Sequence, residues 1–441
     1  MSRPDAPPPE ADAWVRRDAA VVWHGFTQMA TYADTSPIIV DRAEGRELID
    51  VDGRRYLDAI SSLWVTTLGH RVPELDQALR DQIDRVAHTT LLGNGNRTTI
   101  EFAEALAGQV PVDDAHVLFA SDGAAAVEQA VKIAFQYWSN RSDDGTSDRT
   151  RYLTLGGAYH GDTIGSLSVG AGGFGTDLFD PLRFPVHRTP GYDDPGWDVA
   201  AVEVLDRHAG ELAALVLEPL VQGAAGMQVT TPAQVRRVVD AAQARDVLVI
   251  ADEVAVGFGR TGSLFASDAC GIRPDLLCVG KGISGGYLPL AATVASGRVH
   301  DAFLGPDLSR FTLYHGHSYS GNALACAVAR RHLELLDEWD VLTHVRSRSD
   351  ELATLLSMHI EGHPTVGAVR RCGLMVGVEL APPSDGLRWG RRACAGAVAR
   401  GVLLRPLGDV VVLMPPLTTT TSELERIVGT LREALDDLVP A

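Results

Sequence analysis

The sequence predicts an α/β protein in two parts. One is a large unit with a mainly parallel sheet covered by helices. The other is a smaller α+β unit drawn from both chain ends. Three observations carry this reading. Between residues 95 and 330, short apolar runs alternate with helical stretches. The runs at 213–217, 247–251 and 276–279 are almost continuously apolar, as strands buried on both faces must be. From about residue 331 the rhythm changes to helices, then short strands, then a terminal helix.

Taken in order, residues 1–20 begin Pro-rich and read as a disordered or loose arm. Residues 21–94 are expected to supply the N-terminal part of the small domain. Short strands are expected at 38–40 and within 47–58, where Asp52-Gly53 makes a hairpin turn. A polar helix covers 73–86. The large domain spans 95–330, with a helix at 98–109 and a strand at 116–119. The turn Ser121-Asp122-Gly123-Ala124 then opens a long helix, whose apolar positions Val127, Ala130, Val131, Ala134, Phe135 and Trp138 step by three and four. Strands follow at 152–155, at 213–217 ending on Glu218-Pro219, at 247–251 ending on Asp252-Glu253, and at 276–279 leading to Lys281. A helix at 232–245 lies between the second and third of these. Residues 331–441 form the C-terminal part of the small domain. Its helices are expected at 332–338, 345–361, 389–400 and 422–438, and its strands at 373–380, 402–404 and 410–414.

Composition narrows the function. The chain has 441 residues, enough for a large core, and a formal charge of −18. That charge argues against a general nucleic-acid surface. The five cysteines form no C-x-x-C pair. They suit buried thiols in a reducing cytosol better than disulfides or a zinc site. No uncharged apolar run approaches the roughly 18 residues of a membrane helix, and the first ten residues do not resemble a secretory signal. A cytoplasmic enzyme acting on small molecules is expected.

The chemistry concentrates where predicted strands end. Lys281 sits in Val279-Gly280-Lys281-Gly282-Ile283-Ser284-Gly285-Gly286-Tyr287, where glycines permit a sharp turn and a close approach. Alone it could be a solvated turn lysine. Asp252 ends the preceding strand, and in open α/β sheets ligands bind at such ends. An amine and a carboxylate in one cleft suit pyridoxal phosphate. The lysine would carry it as a Schiff base and the aspartate would favour a protonated pyridine. Gly123 and Ala124 open a helix directly after a strand and could receive a phosphate, with Asp122 turned away as the N-cap. Tyr159 could stack on the ring. Arg405 suits bidentate capture of a carboxylate at the end of a strand, or else a surface ion pair. His315 and His317 lack a third ligand at a usual spacing, so no metal is expected.

The stretch Val249-Ile250-Ala251-Asp252-Glu253-Val254-Ala255-Val256-Gly257-Phe258-Gly259-Arg260-Thr261-Gly262, followed by Gly280-Lys281-Gly282, resembles the signature of the class III, fold type I pyridoxal-phosphate aminotransferases. Further marks run from Trp23 to the C-terminus. They include Trp23-His24-Gly25-Phe26-Thr27-Gln28-Met29, Ser61-Ser62-Leu63-Trp64, Tyr159-His160-Gly161-Asp162-Thr163 and Arg405-Pro406 with Met414-Pro415-Pro416. The resemblance implies amination of 8-amino-7-oxononanoate to 7,8-diaminononanoate in biotin synthesis. It gives Lys281 the cofactor and the proton shuttle, Asp252 the pyridine nitrogen, and Tyr159 the ring face. Gly123 and Ala124 would hold the phosphate, joined by Ser318 from a neighbouring subunit, so a homodimer with shared sites is implied. Trp64, Phe26 and Gly316 would line the substrate, and Arg405 would take its carboxylate. The chain departs from the common pattern at Gly25, Phe26, Leu63, Asp122, His317 and Ser318. Most of these lie on the substrate side, which leaves the amino donor open between S-adenosylmethionine and lysine.

Overall fold

The computed structural model describes residues 10–173 and 175–439. Its centre is a seven-stranded sheet. Across the sheet the strands run His116–Ala120, Ala291–Ala295, Leu276–Val279, Leu248–Asp252, Leu212–Leu217, Arg151–Leu155 and His187–Thr189. Neighbours are parallel from Leu276–Val279 to His187–Thr189, and Ala291–Ala295 runs antiparallel to both of its partners. That strand and His187–Thr189 are not expected from the sequence. Ala-Ala-Thr-Val-Ala is three-fifths alanine, which is depleted in strands, so it gives a weak strand signal.

The four central strands are buried along their whole length, which explains the apolar runs at 213–217, 247–251 and 276–279. Helices Gly123–Asn140 and Pro232–Gln243 cover the sheet. Fully burying a Val, Leu or Ile side chain stabilises the fold by about 1.5–3 kcal/mol. A sheet so enclosed holds its strand ends, and what they carry, in fixed register.

Two four-stranded sheets flank it. One joins Val40–Glu44, Glu47–Asp50 and Arg55–Asp58 to Val402–Leu403, a parallel pairing between distant parts of the chain. The other orders Val366–Cys372, Met375–Leu380, Val410–Leu413 and Arg405–Leu407, all antiparallel. The single strand expected at 373–380 is thus the second arm of a hairpin. Its first arm carries Arg370 and Arg371, which mask the apolar alternation.

The loose arm expected over residues 1–20 is corrected where it is described. Glu10–Val21 is a helix, while residues 1–9 lie outside the described residues. Arg17 stacks on the Trp14 ring at 3.9 Å and Val15 is buried. His24 hydrogen-bonds Asp18 at 2.6 Å just beyond the helix. These local contacts hold a stretch whose composition alone suggests disorder. Among the described residues, no helix is long and apolar enough to cross a membrane.

Candidate active site

Asp252 and Lys281 emerge from adjacent parallel strands. Asp252 stands opposite Cys278 in the register, three residues before Lys281. Lys281 opens a short turn with φ 44°, a left-handed conformation reached straight after Gly280. It is half-buried. Burial lowers its pKa, with Asp252 and Glu218 pulling the other way. Its Nζ lies 5.1 Å from the centre of the Trp64 ring.

Asp252 is buried and held from two directions. Its Oδ1 accepts from the Val254 N–H at 3.0 Å, and its Oδ2 meets His160 Nδ1 at 2.7 Å. His160 is also buried. Burial opposes a charge on this imidazole, but the hydrogen bond and charge of Asp252, with Glu218, outweigh it and raise its pKa. Its Nε2 is buried without a hydrogen-bond partner among the described residues. Glu218 completes the group. It accepts from the Tyr159 N–H at 3.1 Å and the Gly223 N–H at 3.3 Å. Burial pushes its pKa up to about 7, with His160 lowering it and Asp252 raising it. Tyr159 is half-buried, and its hydroxyl donates to Asp162 at 3.0 Å. Burial first, then Asp162, raises the phenol's pKa.

The long helix begins beside this cluster. Asp122 is its N-cap, accepting from the Ala125 N–H at 3.0 Å, and the Ala126 N–H bonds the Asp122 carbonyl. The N–H groups of Gly123 and Ala124 are left without a partner among the described residues. Gly161 brings a loop against this helix start. With φ 126°, it leaves no room for a Cβ, which would lie 2.4 Å from the Ala124 Cβ. An amine, a buried carboxylate and two free amides at a helix start match the aldehyde, ring nitrogen and phosphate of pyridoxal phosphate. The residues present therefore fit the group that the sequence implies.

Trp64 approaches through unusual backbone. Ser61, Ser62, Leu63 and Trp64 have φ of 49°, 50°, 88° and 71°, four successive left-handed residues and none of them glycine. Left-handed backbone costs an L-residue roughly 1–2 kcal/mol. Asp58, fully buried, offsets part of that cost. It accepts from Ser62 N–H at 2.9 Å, from Ser62 Oγ at 2.7 Å and from His70 Nε2 at 3.0 Å. Ser61 Oγ donates to the Met414 carbonyl at 2.7 Å. Arg260, also buried, donates to the carbonyls of Pro415 and Thr66, and burial pushes its pKa down to about 9 against the pull of Asp58. The turn lays Trp64 against Gly223, where a Cβ would meet the ring at 3.1 Å.

The remaining expected residues are not gathered into this cluster. Phe26 is 62% exposed, and Gly316 and Ser318 lie on an exposed loop. The Ser318 carbonyl accepts from His88 Nε2 at 2.7 Å. Arg405 is exposed and, as a correction, begins the strand Arg405–Leu407 instead of ending one. The chain leaves strand geometry at Leu404, and Arg405 re-enters it opposite Val412. Its guanidinium has no hydrogen bond or ion pair among the described residues. Sequence reasoning places Glu218 with Asp252 and Lys281 at the strand ends without a specific role, and gives none to His160 or Asp58. The available signals were an imidazole adjoining Tyr159 and a carboxylate closing an apolar strand.

Comparison with known proteins gives the family. The aminotransferase class-III family profile matches residues 28–435. The chain is 48% identical to the adenosylmethionine-8-amino-7-oxononanoate aminotransferase of Nitratidesulfovibrio vulgaris over 95% of this chain and 80% of that one. It is 40% identical to the Geobacter sulfurreducens protein of the same name, over 96% of each chain. Among solved structures, that of the same-named Methanocaldococcus jannaschii protein superposes with a TM-score of 0.93 at 36% identity, covering 97% of this chain and 99% of that one. An omega transaminase from Pseudomonas jessenii in complex with PMP gives 0.89 at 28% identity, covering 96% and 97%.

Proposed function

Because the chain belongs to the class III aminotransferases, we propose that it transfers an amino group to 8-amino-7-oxononanoate, giving 7,8-diaminononanoate for biotin synthesis. The observation that carries this is Lys281 beside a buried, histidine-backed Asp252 at the ends of neighbouring strands. Class III aminotransferases depend on pyridoxal phosphate, which supplies an electron sink and carries the amino group between donor and acceptor. Lys281 holds the cofactor and then moves the proton at the reacting carbon as general acid and base. Burial lowers its pKa and so favours the neutral amine that this needs. Asp252 stabilises a protonated ring nitrogen, and His160 fixes the carboxylate that does so. Gly123 and Ala124 donate backbone N–H groups to the phosphate, and Tyr159 covers the ring. Trp64, Phe26 and Gly316 line the acceptor's chain, and Arg405 takes its carboxylate.

The donor in this reading is S-adenosylmethionine, which the names of the relatives support. Purified holoenzyme given 8-amino-7-oxononanoate should form 7,8-diaminononanoate with that donor, measured by mass spectrometry. Formation with lysine alone would replace the donor. No product with either would point instead to another ω-amino-acid or diamine aminotransferase.

The site is shared between two copies in this reading, with Ser318 reaching the phosphate held by the other. The exposure of the loop around Ser318, including Tyr314 and Tyr319, supports a covering partner. Co-expression tests it. Lys281→Ala and Ser318→Asp chains, each inactive alone, should regain activity in hybrids, because one of the two sites then has both residues intact. Absence of rescue in verified hybrids would show that each chain completes its own site.

A further inference from the structure

We propose that His187, His208 and Glu211 form a divalent metal site that takes zinc, on the outer edge of the large sheet and remote from Lys281. The three residues come from three elements. His187 begins the edge strand His187–Thr189, His208 ends the helix Trp197–His208, and Glu211 ends the turn Ala209–Glu211. One ligating atom from each lies within 4.8 Å of the others. His187 Nε2 is 3.3 Å from Glu211 Oε1, close to the roughly 3.4 Å between neighbouring ligands of a tetrahedral zinc with bonds near 2.1 Å. His208 Nδ1 and Glu211 Oε1 are 2.5 Å apart, the distance of a shared proton. Metal entry displaces that proton and opens the pair. The two imidazole rings already lie near one another, 4.3 Å between centroids and 31° between planes.

Two imidazoles and one carboxylate favour zinc over magnesium or calcium, which prefer all-oxygen sites. All three residues are half-exposed, so a metal can enter and a water can fill the fourth position. Arg151 is the opposing feature, since its charge acts on both His187 and Glu211. The anionic Glu211 offsets it. The sequence spacing hides the cluster, because His187 and His208 stand 24 residues and three residues before Glu211 and meet only when the edge strand forms. The site lies four strands from Lys281, about 19 Å at the usual strand spacing. It also lies at the opposite end, since His187 begins its strand and Glu211 immediately precedes Leu212–Leu217. Its occupation would clamp the last strand, paired on one side, to the helix that follows it.

The experiment is a calorimetric zinc titration of chelator-treated holoenzyme, with His187→Ala, His208→Ala and Glu211→Gln alongside. One zinc per chain should bind the wild type and raise its thermal midpoint. Each substitution should weaken that binding at least about tenfold, since even outer-shell losses cost 10–100-fold. Amination should be unchanged in the metal-free variants, which shows that they fold. Absence of zinc binding in the wild type, or equally tight binding in all three variants, would overturn the proposal.

Discussion

Asp252 and Arg405 stand in opposite surroundings. Asp252 is buried, with both carboxylate oxygens hydrogen-bonded and an imidazole behind it. Arg405 is exposed, and its guanidinium makes no such contacts among the described residues. The same contrast extends to their neighbours. Lys281, Glu218, His160 and the start of the Gly123–Asn140 helix are gathered around the sheet ends. Phe26, Gly316 and Ser318 lie at the surface. The side proposed to hold the cofactor is thus fixed by hydrogen bonds within the chain, whereas the side proposed to meet the substrate is exposed in a single chain. Preorganised charges need no rearrangement at the moment of reaction. An open side can change its residues without disturbing the cluster, and five of the six departures from the common class pattern, Gly25, Phe26, Leu63, His317 and Ser318, lie away from the buried cluster, while Asp122 at the helix start is the sixth.

The largest effect should come from breaking the buried side. Asp252→Ala removes the charge from the ring nitrogen and leaves the Val254 N–H and His160 Nδ1 unpartnered. We expect kcat to fall roughly 10²–10³-fold, the equivalent of two to three pKa units on the ring. Unfolding free energy should fall by about 1–3 kcal/mol, read from urea denaturation. A variant with low kcat but wild-type stability would show that the cluster is not a structural unit.

Arg405→Ala tests the open side. We expect KM for the oxononanoate to rise about 10–100-fold, the worth of a charge-assisted bidentate contact. Stability should stay within about 0.5 kcal/mol, because the side chain leaves no broken contact behind. If stability and KM change together, Arg405 belongs to the folded framework and the contrast with Asp252 fails.

The sequence shows the first side better than the second. Buried parallel strands announce themselves as unbroken apolar runs, and the charged residues that end them, Glu218, Asp252 and Lys281, stand out. His160 reaches Asp252 across 92 positions in the chain, a contact that no local pattern encodes. The turn at Ser61–Trp64 is hidden for a different reason. Four left-handed residues without a glycine contradict local preference, so the conformation depends on tertiary partners. The Ala291–Ala295 strand and the Val366–Cys372 arm escape notice because small or charged residues blur their alternation.

That turn joins the two sides, and Asp58→Asn should loosen it. The amide offers one acceptor oxygen where the carboxylate serves Ser62 twice and His70 once. We expect a loss of about 1–3 kcal/mol in stability and a fall in kcat/KM of about tenfold as Trp64 loses its fixed approach to Lys281. Normal kcat/KM with reduced stability would mean that packing against Gly223, and not Asp58, positions the ring.

The smallest effect concerns the cost of burying so many ionisable groups around one lysine. Glu218 has a folded pKa raised to about 7 from 4.5, chiefly by burial. Below pH 4.5 the carboxyl is neutral in both folded and unfolded chains and carries no penalty. As pH rises toward 7 the unfolded chain ionises readily while the folded one resists, so its contribution to stability is lost over that window. The slope from this single group cannot exceed about 1.4 kcal/mol per pH unit. Glu218→Gln stays neutral and should lack that slope. Compared by urea denaturation of cofactor-free protein at pH 5 and pH 8, the variant should therefore gain on the wild type as pH rises. Equal slopes would mean that a proton retained on His160 offsets the burial of Glu218, so that this carboxyl ionises in the folded chain as readily as in the unfolded one.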